Sequence, residues 1–128
     1  MARYSYDYDF SYSPSAPVVE IEVTSDVSHT AVTLIAFIDS GADATMLPFE
    51  ILQQLQAEEM ETRYLRTVTG KRIAVDLYRV AIRIGVYHFP AIRAVATDSP
   101  TEIILGRDVL NHLIVTLNGL AAVTEISQ

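Results

Sequence analysis

The sequence predicts a mostly β fold with two short helices, and three observations carry that expectation. Val19, Ile21 and Val23 alternate with Glu20, Glu22 and Thr24, the period-two pattern of a strand with one buried and one solvated acidic face. The stretch Ala31-Val32-Thr33-Leu34-Ile35-Ala36-Phe37-Ile38 is apolar on both faces, as a central strand is. Residues 63–68, 72–84 and 88–96 read as strands broken at Gly70-Lys71 and Gly85-Val86, which makes two consecutive hairpins.

The elements follow in order. Residues 1–16 place Tyr4, Tyr6, Tyr8, Phe10 and Tyr12 at every second position among Ser, Asp and Pro. Termini are poorly ordered unless tied down, so a flexible Tyr/Ser-rich tail is the first reading and an edge strand with an aromatic side the second. The globular domain is then residues 17–128. Pro48 at a helix N1 position, followed by Phe49, Ile51, Leu52 and Leu55, predicts about two amphipathic turns ending near Ala57. Residues 107–112 supply one further helical turn or two. Residues 113–117 and 120–126 flank Asn118-Gly119, a pair that favours a two-residue hairpin turn because both positions accept positive φ.

The chain has 128 residues, half of them hydrophobic, which is enough for one ordinary core and excludes two packed lobes. Sixteen acidic against nine basic side chains give a net charge of −7, a balance that argues against a nucleic-acid partner. No apolar run approaches the roughly 18 residues of a membrane span, so no membrane partner is expected. The start Met1-Ala2-Arg3-Tyr4-Ser5-Tyr6-Asp7 lacks the apolar stretch of a secretory signal, and cysteine is absent, which leads to the expectation of a cytoplasmic protein without disulfides.

The chemistry is concentrated where the apolar strand runs into Asp39-Ser40-Gly41-Ala42-Asp43. A carboxylate delivered to the end of a buried element is costly without a purpose. Gly41 lets the backbone turn sharply, Ser40 offers a hydroxyl to lock the turn, and Ala42 leaves room for a ligand. The bland alternative is a strand-ending turn. A second signal lies 67 positions on, where Glu102-Ile103-Ile104-Leu105-Gly106-Arg107-Asp108 joins an apolar strand through glycine to a helix.

Together the two segments resemble the retropepsin family of aspartic proteases, of the single-domain, homodimeric, bacterial retropepsin-like type. Ile38-Asp39-Ser40-Gly41-Ala42-Asp43-Ala44-Thr45 is similar to the catalytic loop of that family, and Ile104-Leu105-Gly106-Arg107-Asp108 to its later apolar-apolar-Gly motif with the helix that follows. The resemblance runs from about Val18 to the C-terminus. It implies the acid-protease fold, a closed or sandwich-like β-barrel, and peptide hydrolysis by a pair of Asp side chains. Two carboxylates about 3 Å apart hold one proton between them, so one acts as general acid while the other activates a shared water. With one Asp-Ser-Gly per chain, the resemblance implies a homodimer in which each subunit supplies Asp39 as catalytic residue at the two-fold axis, acting on a peptide or protein substrate without a cofactor.

The other roles are carried over from the same likeness. Ser40 braces the loop across to the partner subunit, Gly41 shapes it, Thr45 supports it from behind, and Arg107 pairs with Asp43. Ala42 and Asp43 contact substrate. The hairpin at Val68-Thr69-Gly70 takes the place of the flap, and Ile38, Val68 and Ile104 line apolar substrate pockets. Dimerisation uses the chain ends, where either Leu120, Ala122 and Thr124 or the set Ala121, Val123 and Ile126 faces the partner.

Other chemistries lack support. His29, His88 and His112 are scattered and form no metal-binding pattern, so no metal is expected, and neither a nucleophile elbow nor a phosphate-binding loop occurs. The rival from another class is a retropepsin-like dimer that binds or scaffolds peptides without cutting them, because fold does not fix function.

Overall fold

The computed structural model describes residues 2–128. Ten strands and two helices follow one another as β1 (Tyr4–Asp7), β2 (Val18–Thr24), β3 (Val32–Ile38), β4 (Met46–Pro48), α1 (Phe49–Gln54), β5 (Glu58–Arg66), β6 (Arg72–Ile84), β7 (Tyr87–Thr97), β8 (Ile104–Leu105), α2 (Arg107–Leu110), β9 (Ile114–Asn118) and β10 (Val123–Ser127). The larger sheet has the order β2-β3-β8-β4-β7-β6-β5, and β2 also bonds to β6. Six strands therefore close into a ring that buries its edges, with β5 left outside as the second arm of the β5–β6 hairpin. The 13 residues of β6 make this possible, since residues 81–83 pair with β2 while residues 72–79 pair with β5.

Alternation decides what fills the ring. Val19, Ile21 and Val23 are wholly buried, as are Ala36, Leu47, Ile82, Ile84 and Leu105. Leu52 and Leu55 close the core beneath α1. That helix starts one residue later than its sequence suggests, because Pro48 at φ −58°, ψ 137° is still extended and occupies the N-cap. The helix ends at Gln54 with Leu55 as its C-cap, and Gln56 just beyond takes φ +51°. Between β2 and β8, β3 is central in hydrogen bonding, yet only its Ala36 side is sealed. Ile35 on the other face is half exposed, and Phe37 there meets Tyr12 edge-on at 5.0 Å.

Of residues 2–16, read first as a flexible tail and second as an edge strand, Tyr4–Asp7 form a strand. Tyr4–Asp7 pairs antiparallel with Val123–Ile126, which puts β10 between β1 and β9 in a three-stranded sheet. The cause is apolar surface: the Tyr4 ring stands edge-on to Tyr87 at 5.9 Å, and its hydroxyl accepts the Val86 N–H at 3.0 Å. The ring lies on Gly85, where a Cβ would come within 2.2 Å of it. Burying such rings offsets the entropy of ordering a short strand. Only the segment after β1 remains a loop, with Phe10 exposed and Asp9 accepting the Ser11 N–H at 2.9 Å.

Two further expectations change at the C-terminus. Asn118 pairs with Val123, so the connection has four residues, 119–122, instead of two. Asn118 Oδ1 accepts the Ala121 N–H at 3.0 Å, which builds the longer turn, and it is Ala122 that takes φ +54°. Neither proposed partner-facing set survives as a face, because Thr124 and Ile126 are both fully buried in their own subunit. The open edges of the small sheet belong to β1 and β9. No described helix is long and apolar enough to cross a membrane.

Candidate active site

The two chemically suggestive segments of the sequence are hydrogen-bonded to each other. Phe37 and Ile38 run parallel to Ile104 and Leu105, and the Asp39 N–H donates to the Leu105 carbonyl at 3.1 Å. On the other side of β8, Met46 pairs with Ile104. The short β8 thus separates the strand that enters the Asp39 loop from the strand that leaves it. Asp39 sits half-buried at the tip of β3. Its Oδ1 accepts the Gly41 N–H at 2.9 Å, and its carbonyl accepts the Ala42 N–H at 3.2 Å, so the turn itself orients the carboxylate.

Behind the loop, Gly106 permits an approach that a larger residue would not. Its N–H donates to Thr45 Oγ1 at 3.3 Å, and a Cβ there would lie 2.6 Å from the Ala44 carbonyl carbon. The Arg107 N–H donates to the Ala42 carbonyl at 2.9 Å. Thr45 is fully buried and donates its hydroxyl to Asp108 Oδ1 at 2.8 Å, while its N–H donates to Oδ2 at 3.0 Å. Asp108 Oδ1 also accepts the N–H of Val109 at 3.0 Å. From the solvent side, the Arg107 guanidinium donates to the Ser40 carbonyl at 2.6 Å and to Asp43 Oδ1. Both partners of that ion pair are substantially exposed, so its electrostatic worth is about 0–1 kcal/mol and its value is geometric.

Asp39, Ser40, Gly41, Ala42, Asp43, Thr45 and Arg107 therefore gather around one loop, and Ile104 lies in the strand beside it. Two adjoining cavities of about 420 and 240 Å³ open against this loop. Gly41, Ala42 and Asp43 line the smaller; Leu65, Leu77, Ile92 and Val95 supply apolar walls. Ile38, Val68 and Ile104, expected at the substrate pockets, border neither of these two cavities of the single chain, and neither does Asp39. The shaft of β5 borders both, because Leu65 points inward, while the tip residues Val68, Thr69 and Gly70 stand in solvent beyond it. The tip is closed by the Thr67 N–H to the Lys71 carbonyl at 2.8 Å, with Gly70 at φ +82°.

Asp108 escaped the sequence reading as a site residue, although an acidic residue in the first turn of a helix just after a strand-ending glycine is a legible signal. Arg63, Arg66 and Arg93, which also border the cavities, were missed as well. Among the described residues, no group of three or more His, Cys, Asp or Glu side chains is placed to hold a metal ion.

A closed strand ring presenting Asp-Ser-Gly on a loop braced by an apolar-Gly-Arg-Asp segment defines the retropepsin-like class of aspartic protease folds. The sequence profile described as "gag-polyprotein putative aspartyl protease" matches residues 25–112, and the chain belongs to that family. The fold is shared by solved structures, among them the following two. EIAV protease complexed with the inhibitor HBY-793 is 22% identical with a TM-score of 0.59, over 76% of this chain and 86% of that one. A retropepsin-like aspartic protease from Rickettsia conorii is 15% identical with a TM-score of 0.65, over 98% and 90%. No curated protein matches the chain.

Proposed function

We propose that the protein is an aspartic endopeptidase that works as a homodimer, with one Asp39 from each subunit sharing the attacking water. The observation that carries this reading is a single Asp-Ser-Gly loop per chain, oriented by its own turn and open to a cleft with apolar walls. One carboxylate is half of the machinery, so the site is complete only when a second copy brings its own Asp39 alongside.

In that dimer the ionised Asp39 takes a proton from the water as its oxygen bonds to the scissile carbonyl carbon. The protonated Asp39 donates to the carbonyl oxygen. Collapse of the tetrahedral diol breaks the C–N bond and delivers a proton to the leaving amine. The Thr45–Asp108 bracing and the Arg107 bridge keep the loop in place, which is what positioning by a rigid frame contributes to the rate. Ser40 lies on the exposed side of the loop, where its hydroxyl can reach the partner's loop. Substrate lies extended along the cleft, and the β5–β6 hairpin acts as the flap that excludes water over it.

The test is cleavage of a diverse peptide library between about pH 4 and 7, where a carboxyl pair holds its shared proton, with Asp39→Asn in parallel and the oligomeric state recorded. Cleavage by the wild type alone, from a dimer, supports the reading. If both proteins are dimers and neither cuts, the protein is a peptide-binding module.

A further inference from the structure

Charge is distributed very unevenly along this chain. Residues 63–75, the outer half of the β5–β6 hairpin, contain Arg63, Arg66, Lys71 and Arg72 and no acidic residue. The remaining five basic residues stand against all sixteen acidic ones, so residues 63–75 carry +4 and the rest of the chain −11; the whole hairpin, residues 58–84, carries +2. The positive charge that borders the cleft is only partly neutralised locally. Arg63 and Arg93 both lean on the same Glu61 Oε1, at 3.1 and 2.8 Å, so two guanidiniums share one carboxylate. Arg66, which borders the smaller cavity, makes no ion pair among the described residues. Its cross-strand neighbour Arg72 is turned onto the Tyr64 ring, 4.9 Å from its centroid. The acids of the cleft are already engaged: Asp43 by Arg107, and Asp108 by Thr45 and the Val109 N–H.

We propose that Arg63, Arg66 and Arg93 select peptides that carry Asp or Glu side chains beside the apolar residues seated at the Asp39 loop. This rests on the cleft being a peptide site. Guanidinium groups offer paired N–H donors that match a carboxylate, and Arg63 and Arg93 are about half exposed, so both can turn to an incoming anion. The acidic remainder of the surface repels the same peptide everywhere else, so attraction at the hairpin and rejection elsewhere act together on specificity and on encounter rate. The apolar walls Leu65, Leu77, Ile92 and Val95 take the neighbouring hydrophobic side chain.

The experiment uses peptides with one constant apolar centre and flanks of Glu, Gln or Lys. Binding to the Asp39→Asn protein is followed by fluorescence anisotropy at low and high NaCl, and cleavage by the wild type is measured on the same set. Glu-flanked peptides should bind about tenfold more tightly than Gln-flanked ones at low salt, with the advantage shrinking as exposed charges are screened. Arg66→Glu should reverse the order in favour of Lys, whereas Arg83→Glu, the same charge change at the far end of β6, should leave it unaltered. Equal binding of Glu and Gln peptides overturns the proposal. So does an Arg83→Glu effect as large as that of Arg66→Glu, or stronger displacement of the peptide by a single-stranded oligonucleotide of equal charge. A charge ranking in binding without cleavage overturns the protease reading alone; cleavage without a ranking overturns this inference alone.

Discussion

Thr45 and Asp108 are 63 residues apart in the sequence and joined twice in space, hydroxyl to Oδ1 at 2.8 Å and N–H to Oδ2 at 3.0 Å. The pair ties the chain leaving the Asp39 loop to the first turn of α2. Because Thr45 is fully buried, Thr45→Val keeps the shape but leaves Asp108 Oδ1 and the Gly106 N–H short of a partner. The expected cost is about 1–3 kcal/mol, read as a lower denaturant midpoint with an unchanged slope. An unaltered midpoint would show that the bond only decorates the loop.

Gly106 is a separate and purely steric requirement. Its φ of −94° is open to any residue, yet a Cβ would press on the backbone of Ala44 and Ala42, which cannot swing aside as a side chain does. Gly106→Ala should cost about 2–4 kcal/mol and take with it any activity that depends on the Asp39 turn. Gly119→Ala is the matched control, since a Cβ at Gly119 meets nothing within 4 Å and the residue has no positive φ. It should lose no stability and gain up to about 1 kcal/mol from the reduced freedom of the unfolded chain.

Much of this was legible in the sequence, and the misses share a cause. Period-two alternation marks β2, and glycine punctuation marks the two long hairpins, because these are local signals that burial reinforces. The Asp39 loop and the Gly106 segment stand out because a buried strand ending in a carboxylate is unusual chemistry. The rest depended on neighbours. Tyr4 becomes ordered only because Gly85 and Tyr87 offer a surface that nothing in residues 1–16 announces. Asn118-Gly119 has the composition of a two-residue turn, but Asn118 spends its side chain on Ala121 and lengthens the loop. Leu65 is a cavity wall that the sequence does not announce, because which face of β5 turns inward depends on the strand it pairs with.

The same lengthened turn leaves a correctable strain. Ala122 holds φ +54°, a conformation in which its Cβ crowds the following carbonyl, at about 1–2 kcal/mol for an L-residue. Ala122→Gly removes that strain and adds back the unfolded-state freedom of glycine, so a net gain of about 0.5 kcal/mol is expected. Thermal and denaturant unfolding would register it. A loss of stability would mean that the Ala122 methyl packs against a neighbour strongly enough to outweigh its backbone.

Alkaline pH should loosen the small sheet, and Tyr6 is the reason. Its phenol is raised above its ordinary value near 10, first by burial, then by the nearby charge of Glu20 and by Tyr4. The neutral phenol is therefore favoured in the folded chain. Below pH of about 10 both folded and unfolded states hold the proton and nothing is lost. Above it the unfolded phenol ionises first, unfolding releases a proton, and stability falls until the folded phenol ionises too. Tyr78 on β6 is raised for the same primary reason, with Glu59 and Asp76 adding to it. Tyr6→Phe should thus flatten part of the decline in unfolding midpoint between about pH 9 and 11, and Tyr6→Phe with Tyr78→Phe more of it. If the slope is the same in wild type and double variant, the alkaline loss belongs to other groups, and β1 does not hold its phenol away from water.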